Sequence, residues 1–360
     1  APAKDADFTL GADGLPAVVP SVPGRTLDRD ATARSIIAAA SRPADRTGRL
    51  AIAVAQPERT TAEALAMGVD GVVGSYVTTY GGVANRLHNV RLVARLVDDH
   101  LIAPGETFSF NRTTGERSAE KGFLEAPVII NGELQNGLGG GVCQVSTTVF
   151  NAAFEAGLPI TSRTNHALYI GHYPLGRDAT VDYPGIDLQF RNDTGKWIWL
   201  RAFIGDSSLR ITLYGTPPER KVESTTSPLR ATGPVPIEKV EDPTLPKGKR
   251  VIDPGQTFAP PRATSIRRTV YDKAGTVLYD SVWYSTYRGE AKVVRVGTKP
   301  KAKPGKAAPG VTSPGVTDPA GTTPASTEPG ATAADDTVPP PAAGDVAPAG
   351  TGAAATAALQ

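Results

Sequence analysis

Gly137-Leu138-Gly139-Gly140-Gly141-Val142-Cys143-Gln144-Val145-Ser146-Thr147-Thr148 is the stretch on which the fold turns. A run of glycines lets the backbone bend sharply and lets another group approach closely. The residues that follow, Gln144 to Ala156, put Val145, Val149, Ala152 and Ala153 on one face and stop at Gly157 and Pro159, so they read as a helix. Upstream, Val83, Leu87, Val90, Ala94, Val97 and Leu101 are spaced 4-3-4-3-4, which predicts a second helix running to the turn at Ala103-Pro104-Gly105. Strand patterns surround the two helices. Phe108 and Phe110 alternate with Thr107 and Ser109, and Ala126–Ile130 leads into the hairpin signal Asn131-Gly132. Trp197–Ile204, Gly205-Asp206 and Leu209–Tyr214 form a second hairpin with Leu209, Ile211 and Leu213 on one face. Two helices among antiparallel strands make the fold class α+β.

Outside this centre the patterns are shorter. An Ala-rich N-terminal part, residues 1–70, carries helical patterns at Thr32–Ala40 and Thr60–Met67 and a strand at Leu50–Ala55. The centre is taken as residues 71–222. Residues 223–298 hold alternating runs at Arg250–Ile252, Ser265–Tyr271, Thr276–Tyr284 and Lys292–Val296, with a turn at Asp272-Lys273-Ala274-Gly275, and read as a small β module. The rest, 299–360, opens with a basic run; in 301–360, 46 of 60 residues are Ala, Pro, Thr, Gly or Ser. That tail is predicted to be disordered, a solvated linker or a stalk, because it cannot bury enough apolar surface to offset the entropy of ordering it.

Composition removes several functions. The chain has 360 residues with 38 Lys and Arg against 36 Asp and Glu, a near-balance that gives no support to a nucleic-acid binder. No 18-residue apolar run marks a membrane span, though an anchor upstream of Ala1 is compatible with the abrupt start. One cysteine excludes a disulfide framework, and with four histidines a metal cluster is poorly supplied. No cofactor and no metal are expected.

Cys143 carries the chemistry in this reading. A lone cysteine is commonly a buried, inert side chain. At the start of a helix, however, unpaired N–H groups and the helix dipole favour a thiolate, and the same N–H groups hold an oxyanion. A phosphate cradle is disfavoured, since no Gly-Lys-Ser/Thr follows the glycines. A thiol nucleophile needs a base and a group to orient it. His166 follows 23 residues downstream; Asp178 is the candidate orienting group, with Asp182 in reserve. His88 and His100 fall on the long helix, where packing or surface roles are the default, and His172 lies six residues past His166. Gly140, Gly141, Val142, Gln144 and Ser146 are the candidate substrate contacts, and Arg163 or Arg177 the fork for a substrate carboxylate.

Three blocks then resemble the VanW family: Pro104-Gly105-Glu106-Thr107-Phe108-Ser109-Phe110-Asn111, the Gly139–Thr148 part of the stretch above, and Pro174-Leu175-Gly176-Arg177-Asp178-Ala179-Thr180-Val181. Residues 13–70 resemble the C-terminal part of a YoaR-like peptidoglycan-binding domain, and residues 225–298 a wall-associated module of the G-five type. Ala167 stands after His166 where the family commonly has Ser, and His172 where it has an apolar or aromatic residue. The resemblance implies an extracytoplasmic bacterial protein of the cell wall, from a family named for a glycopeptide-resistance cluster. It implies an L,D-transpeptidase that works on peptidoglycan stem peptides, with Cys143 as nucleophile and His166 as base. A non-catalytic wall-binding protein and a cysteine hydrolase of the same stems are the alternatives.

Overall fold

The structure is a computed structural model that describes residues 1–130 and 133–300. Its first elements are small: β1 (Asp7–Leu10), β2 (Pro16–Val19), β3 (Gly24–Leu27), α1 (Arg29–Ala40), β4 (Ile52–Ala55) and α2 (Thr61–Ala66). β1 pairs with β2 and β3 with β4, both antiparallel. Capping fixes both helices. Asp28 Oδ1 accepts from Ala31 N–H at 2.8 Å, and α2 has a reciprocal box in which Thr60 and Glu63 satisfy each other's backbone N–H groups. The first three strands escape a periodicity reading because each is only four residues long.

The centre comprises β5 (Gly71–Thr79), α3 (Ala84–Val97), β6 (His100–Ile102), β7 (Thr107–Ser109), α4 (Phe110–Thr114), β8 (Glu125–Ile130), β9 (Glu133–Leu138), α5 (Val142–Glu155), β10 (Ile160–Ser162), β11 (Gln189–Arg191), β12 (Ile198–Ile204) and β13 (Ser208–Gly215). Its main sheet runs β5-β13-β12-β6, antiparallel throughout, and a smaller one runs β10-β11-β7. Leu209, Ile211 and Leu213 of β13 are buried and share one core with Val90, Val93 and Val97 of α3 and Val145, Val149 and Phe150 of α5. The fold is α+β. Helix α5 is its axis: 12 of its 14 residues are buried, so it is enclosed on every side rather than amphipathic.

The long helix is shorter than its periodicity predicts. α3 ends at Val97, and His100 and Leu101 belong to strand β6 on the sheet edge, not to the helix. Two aspartates make the break. Asp98 Oδ1 accepts from Arg201 Nε and Ala202 N–H, each at 2.8 Å, and Asp99, with φ 60°, accepts Trp199 Nε1 at 2.7 Å. Both pull the chain onto β12. The Phe108–Phe110 strand is likewise cut short, because Ser109 caps α4 through Arg112 N–H at 3.0 Å and Phe110 opens that helix. β8 and β9 pair as the hairpin reading requires; the turn residues Asn131 and Gly132 lie outside the described residues, as does the tail 301–360.

Beyond β13 come β14 (Lys221–Thr226), β15 (Arg230–Ala231), β16 (Ile237–Pro246), β17 (Arg250–Val251), β18 (Arg262–Tyr271), β19 (Val277–Tyr287) and β20 (Lys292–Lys299). β14, β15 and β19 all pair with β18, while β20 lies between β17 and β16 and runs parallel to β16. The β18 sheet packs directly on α5. Ile266 joins the central core, and buried Arg268 donates to Phe154 O (3.0 Å) and Leu158 O (2.9 Å), closing the carbonyl end of the helix. Among the described residues no helix is long and apolar enough to cross a membrane.

Candidate active site

The glycine turn before α5 is shaped by two positions. A Cβ on Gly140 would fall 2.7 Å from the carbonyl groups of Ala126 and Pro127, so only glycine lets the turn lie against β8. Gly141, the N-cap of α5, has φ 108°, in the region that L side chains rarely adopt. Buried Asn89 of α3 pins the turn by donating from Nδ2 to Leu124 O (2.8 Å) and Gly140 O (3.0 Å). Cys143 is thereby set in the first turn of α5. Val142 and Gln144 N–H bond to Gly139 O (3.1 Å) and Gly141 O (3.0 Å), whereas Cys143 N–H has no backbone acceptor among the described residues.

The polar face of α5 then grips the segment that carries Asp178. Ser146 Oγ donates to Ala179 O at 2.7 Å, Thr147 Oγ1 both donates to Ala179 O (3.1 Å) and accepts from Ala179 N–H (3.0 Å), and Asn151 Nδ2 donates to Arg177 O at 2.9 Å. These bonds stitch the glycine–cysteine block to the Pro174–Val181 block. They also hold Thr180 and Val181 over the sulfur: Thr180 Oγ1 is 3.4 Å from Cys143 Sγ, and Val181 O is 3.7 Å away.

Asp178 Oδ2 accepts both the backbone N–H of His166 (2.6 Å) and its ring Nδ1 (2.8 Å). With Nδ1 taken, Nε2 is the ring nitrogen left for the thiol. Oδ1 accepts from Arg163 Nη2 (3.0 Å) and Tyr287 Oη (2.8 Å). Burial pushes the Cys143 thiol up, but the hydrogen bond and charge of His166, with help from Thr180 and the Val181 backbone, outweigh it and bring the thiol down to about 7. Burial disfavours the His166 imidazolium, yet Asp178 and Cys143 raise it to about 9. Asp178 is held below the usual carboxylate range: burial would raise it, and His166 and Arg163 more than compensate. Cys143 itself is partly exposed, while His166 and Asp178 are buried. A partly exposed thiol poised near neutrality beside a buried imidazole–carboxylate pair can act as a nucleophile with a base.

The structure brings Cys143, His166 and Asp178 together. It does not free the other expected site residues for a ligand. Gly140 and Val142 are buried, and Gln144 spends Nε2 on Thr78 Oγ1 (2.8 Å) and Oε1 on Arg86 Nη2 (3.1 Å). Ser146 is taken up by Ala179 O, as above. The Arg163 side chain is 2% exposed and divides its donors between Asp178, Gly176 O and Ser285 Oγ. Arg177 pairs with Glu155 (2.6 Å) and Asn151 Oδ1 (2.6 Å) and lies over Phe154, so neither arginine is a carboxylate fork. These residues hold the site rather than line it; of the glycine–cysteine block's expected contacts, Gly141 stays partly exposed. Asp182 is not on the histidine, and His172 packs against the Tyr173 ring at 4.3 Å with the two planes tilted by 55°.

Several partners were not foreseen. Tyr173 stacks on His166 at 5.8 Å, Thr180 touches the sulfur, and Tyr287 reaches Asp178 from the β-rich C-terminal part. Arg117 packs its stem where a Cβ on Gly139 would go, lies over Phe110 (5.7 Å) and Tyr183 (5.9 Å), and leaves Nη2 without a partner. Burial disfavours its charge, and the fields of Cys143, Asp182 and Asp187 favour it. Thr180 stood inside a quoted block and was within reach of a chemical reading; Tyr287 and Arg117 carried no signal.

Residues 85–214 match the family model described as VanW like protein. The uncharacterized protein YoaR of Bacillus subtilis (strain 168) is 45% identical over 145 residues, 40% of this chain and 48% of that protein. The vancomycin B-type resistance protein VanW of Enterococcus faecalis (strain ATCC 700802 / V583) is 35% identical over 115 residues, 31% of this chain and 42% of that protein. The chain thus spans about half the length of the curated relatives it matches. Two solved structures each cover 22% of this chain: HP0197-G5, at 20% identity, 99% of its own length and a TM-score of 0.15, and the IgA1 protease G5 domain, at 18%, 88% and 0.16.

Proposed function

Because residues 85–214 form a VanW-like domain, we propose that the chain is a cell-wall protein whose Cys143 performs acyl transfer on peptidoglycan stem peptides as an L,D-transpeptidase. The observation that carries the reading is the Cys143–His166–Asp178 chain at the start of α5, with the thiol brought down to about 7. The name of the Enterococcus faecalis relative, a vancomycin resistance protein, supports the wall as the setting.

The Cys143 thiolate attacks the carbonyl carbon of the third stem residue, forming a C–S bond and placing negative charge on the carbonyl oxygen. The unengaged N–H of Cys143 is positioned at the helix terminus to receive that charge. His166 Nε2 gives its proton to the nitrogen of the terminal D-alanine as the C–N bond breaks, leaving a thioester and free D-alanine. A side-chain amine of a neighbouring stem then attacks the thioester carbonyl. Its proton passes to His166, the C–S bond breaks and the thiolate returns. Asp178 stays ionised throughout and holds the imidazolium.

Intact-protein mass spectrometry after mixing with a disaccharide-tetrapeptide tests this. The expected result is an adduct equal to the muropeptide less D-alanine, absent from Cys143→Ala. Binding with neither adduct nor released D-alanine would move the function to a non-catalytic wall protein. An adduct that decays to free tripeptide even with an acceptor amine present would make the chain a hydrolase.

A further inference from the structure

The carboxylate of Asp178 serves two sides. Oδ2 faces His166, while Oδ1 receives Arg163 Nη2 at 3.0 Å and Tyr287 Oη at 2.8 Å. Tyr287 is buried at the end of β19, far outside the segment that carries the cysteine and histidine. It does not arrive alone. Ser285 Oγ accepts from Arg163 Nη1 (2.9 Å), Thr286 O accepts from Asn165 Nδ2 (2.7 Å), and Arg288 N–H donates to Ala167 O (2.7 Å). Four consecutive residues, 285 to 288, are therefore bonded to the segment holding Arg163, His166 and Asp178.

We propose that Tyr287 is a positioning residue for the active site: by donating to the far oxygen of Asp178 it draws charge away from the oxygen that holds His166, and so sets the pH at which His166 releases its proton. The inference rests on the reading of Cys143 and His166 as nucleophile and base. Hydrogen bonds to a carboxylate stabilise its charge and reduce its pull on a neighbouring cation. The reduction is useful, since an imidazole held too strongly protonated is a poor proton donor and acceptor near neutral pH. Without Tyr287, Asp178 would grip the imidazolium more tightly and His166 would move further from neutrality.

The groups that face this pair are few. Cys143 comes from α5, Arg163, His172 and Tyr173 from the chain between β10 and β11, Tyr287 from β19, and the field of Arg86 of α3 reaches His172 and Tyr173. Arg163 shares Oδ1 and acts in the same sense as Tyr287. Burial, then the charges of Arg86 and His166, keep the His172 imidazolium disfavoured, so it does not compete. Burial and the Asp178 charge push the Tyr287 phenol up, so it remains a neutral donor through the working range. The β-rich C-terminal part is, on this account, a working portion of the site, and whatever strains β19 acts on the base.

The test uses the full chain, with nitrogen-15 histidine resonances titrated in wild type, Tyr287→Phe and, as a control on the same strand, exposed Tyr284→Phe. In Tyr287→Phe the His166 midpoint is expected to rise by about half a unit, roughly a threefold change in its ionisation equilibrium. Tyr284→Phe should match wild type. Placing 3-fluorotyrosine at 287, a stronger donor of nearly the same shape, should lower the midpoint and serves if Tyr287→Phe does not fold. An unchanged midpoint in the folded variants, or equal shifts in the control, overturns the role of Tyr287. A wild-type Cys143 that alkylates with an ordinary thiol midpoint would instead sink the nucleophile reading, independently of these shifts.

Discussion

Helix α5 and strand β16 are opposites built from the same chain. α5 buries 12 of 14 residues, and its Ser146, Thr147 and Asn151 are all spent on the segment that bears Asp178. β16 is ten residues long, exposed at nearly every position, and is held by its parallel pairing with β20 and one buried aspartate, Asp242. Polar side chains in a helix interior are costly unless each has a partner. Gln144 and Thr148 find theirs on β5 and Arg86, and Ser146, Thr147 and Asn151 find theirs on the Asp178 segment, so much of the cost is met by fixing the acid relative to the thiol. The peripheral sheet invests nothing of the kind. Buried packing and the proposed site are therefore concentrated around α5, and substitutions should grade accordingly.

The largest effect belongs to Cys143→Ala, which should remove acyl-enzyme formation entirely in the mass assay while leaving the melting temperature close to wild type. Asp178→Asn should come next. It leaves the imidazole without its anion, and the rate of D-alanine release is expected to fall by about a hundredfold or more, the range general acid–base catalysis supplies. Third is Arg268→Ala, which uncaps the carbonyl end of α5 and opens a void beside Phe154 and Trp283; thermal or denaturant unfolding should show a loss of about 3 kcal/mol. Thr147→Val should cost about 1–2 kcal/mol by leaving the Ala179 N–H unpaired, while Ser146 still serves Ala179 O, and should slow Cys143 alkylation as Asp178 drifts. At the far end of the scale, Val240→Thr on β16 should change stability by no more than about 0.5 kcal/mol. A large loss there would break the contrast between helix and strand.

Much of the site was legible because its members announce themselves chemically. A lone cysteine after glycines at a helix start, followed by a histidine and an aspartate, picks out three candidate residues that the structure brings together. The α+β class was legible because Leu209, Ile211 and Leu213 alternate cleanly while Val145, Val149 and Ala152 keep a helical step. The second helix was misjudged at its end: the apolar spacing runs on into β6, and only the long-range bonds of Asp98 and Asp99 to β12 reveal the break. Arginines were misread for a similar reason. Sequence supplies guanidinium groups but not the carboxylates that claim them, so Arg163 and Arg177 looked free although Asp178 and Glu155 take them. Tyr287 was invisible because a contact across that much chain leaves no local pattern.

The most direct measurement is the pH dependence of Cys143 alkylation by iodoacetamide in wild type and His166→Gln, read by intact mass, since the chain has one cysteine. The thiolate is the reactive form, so the rate should climb through about 7 in the wild type. Without the imidazolium the rise should move up toward the ordinary thiol range, about 8.5 or higher. Superimposable profiles for the two proteins, both rising only in that higher range, would contradict the claim that His166 and Asp178 activate Cys143.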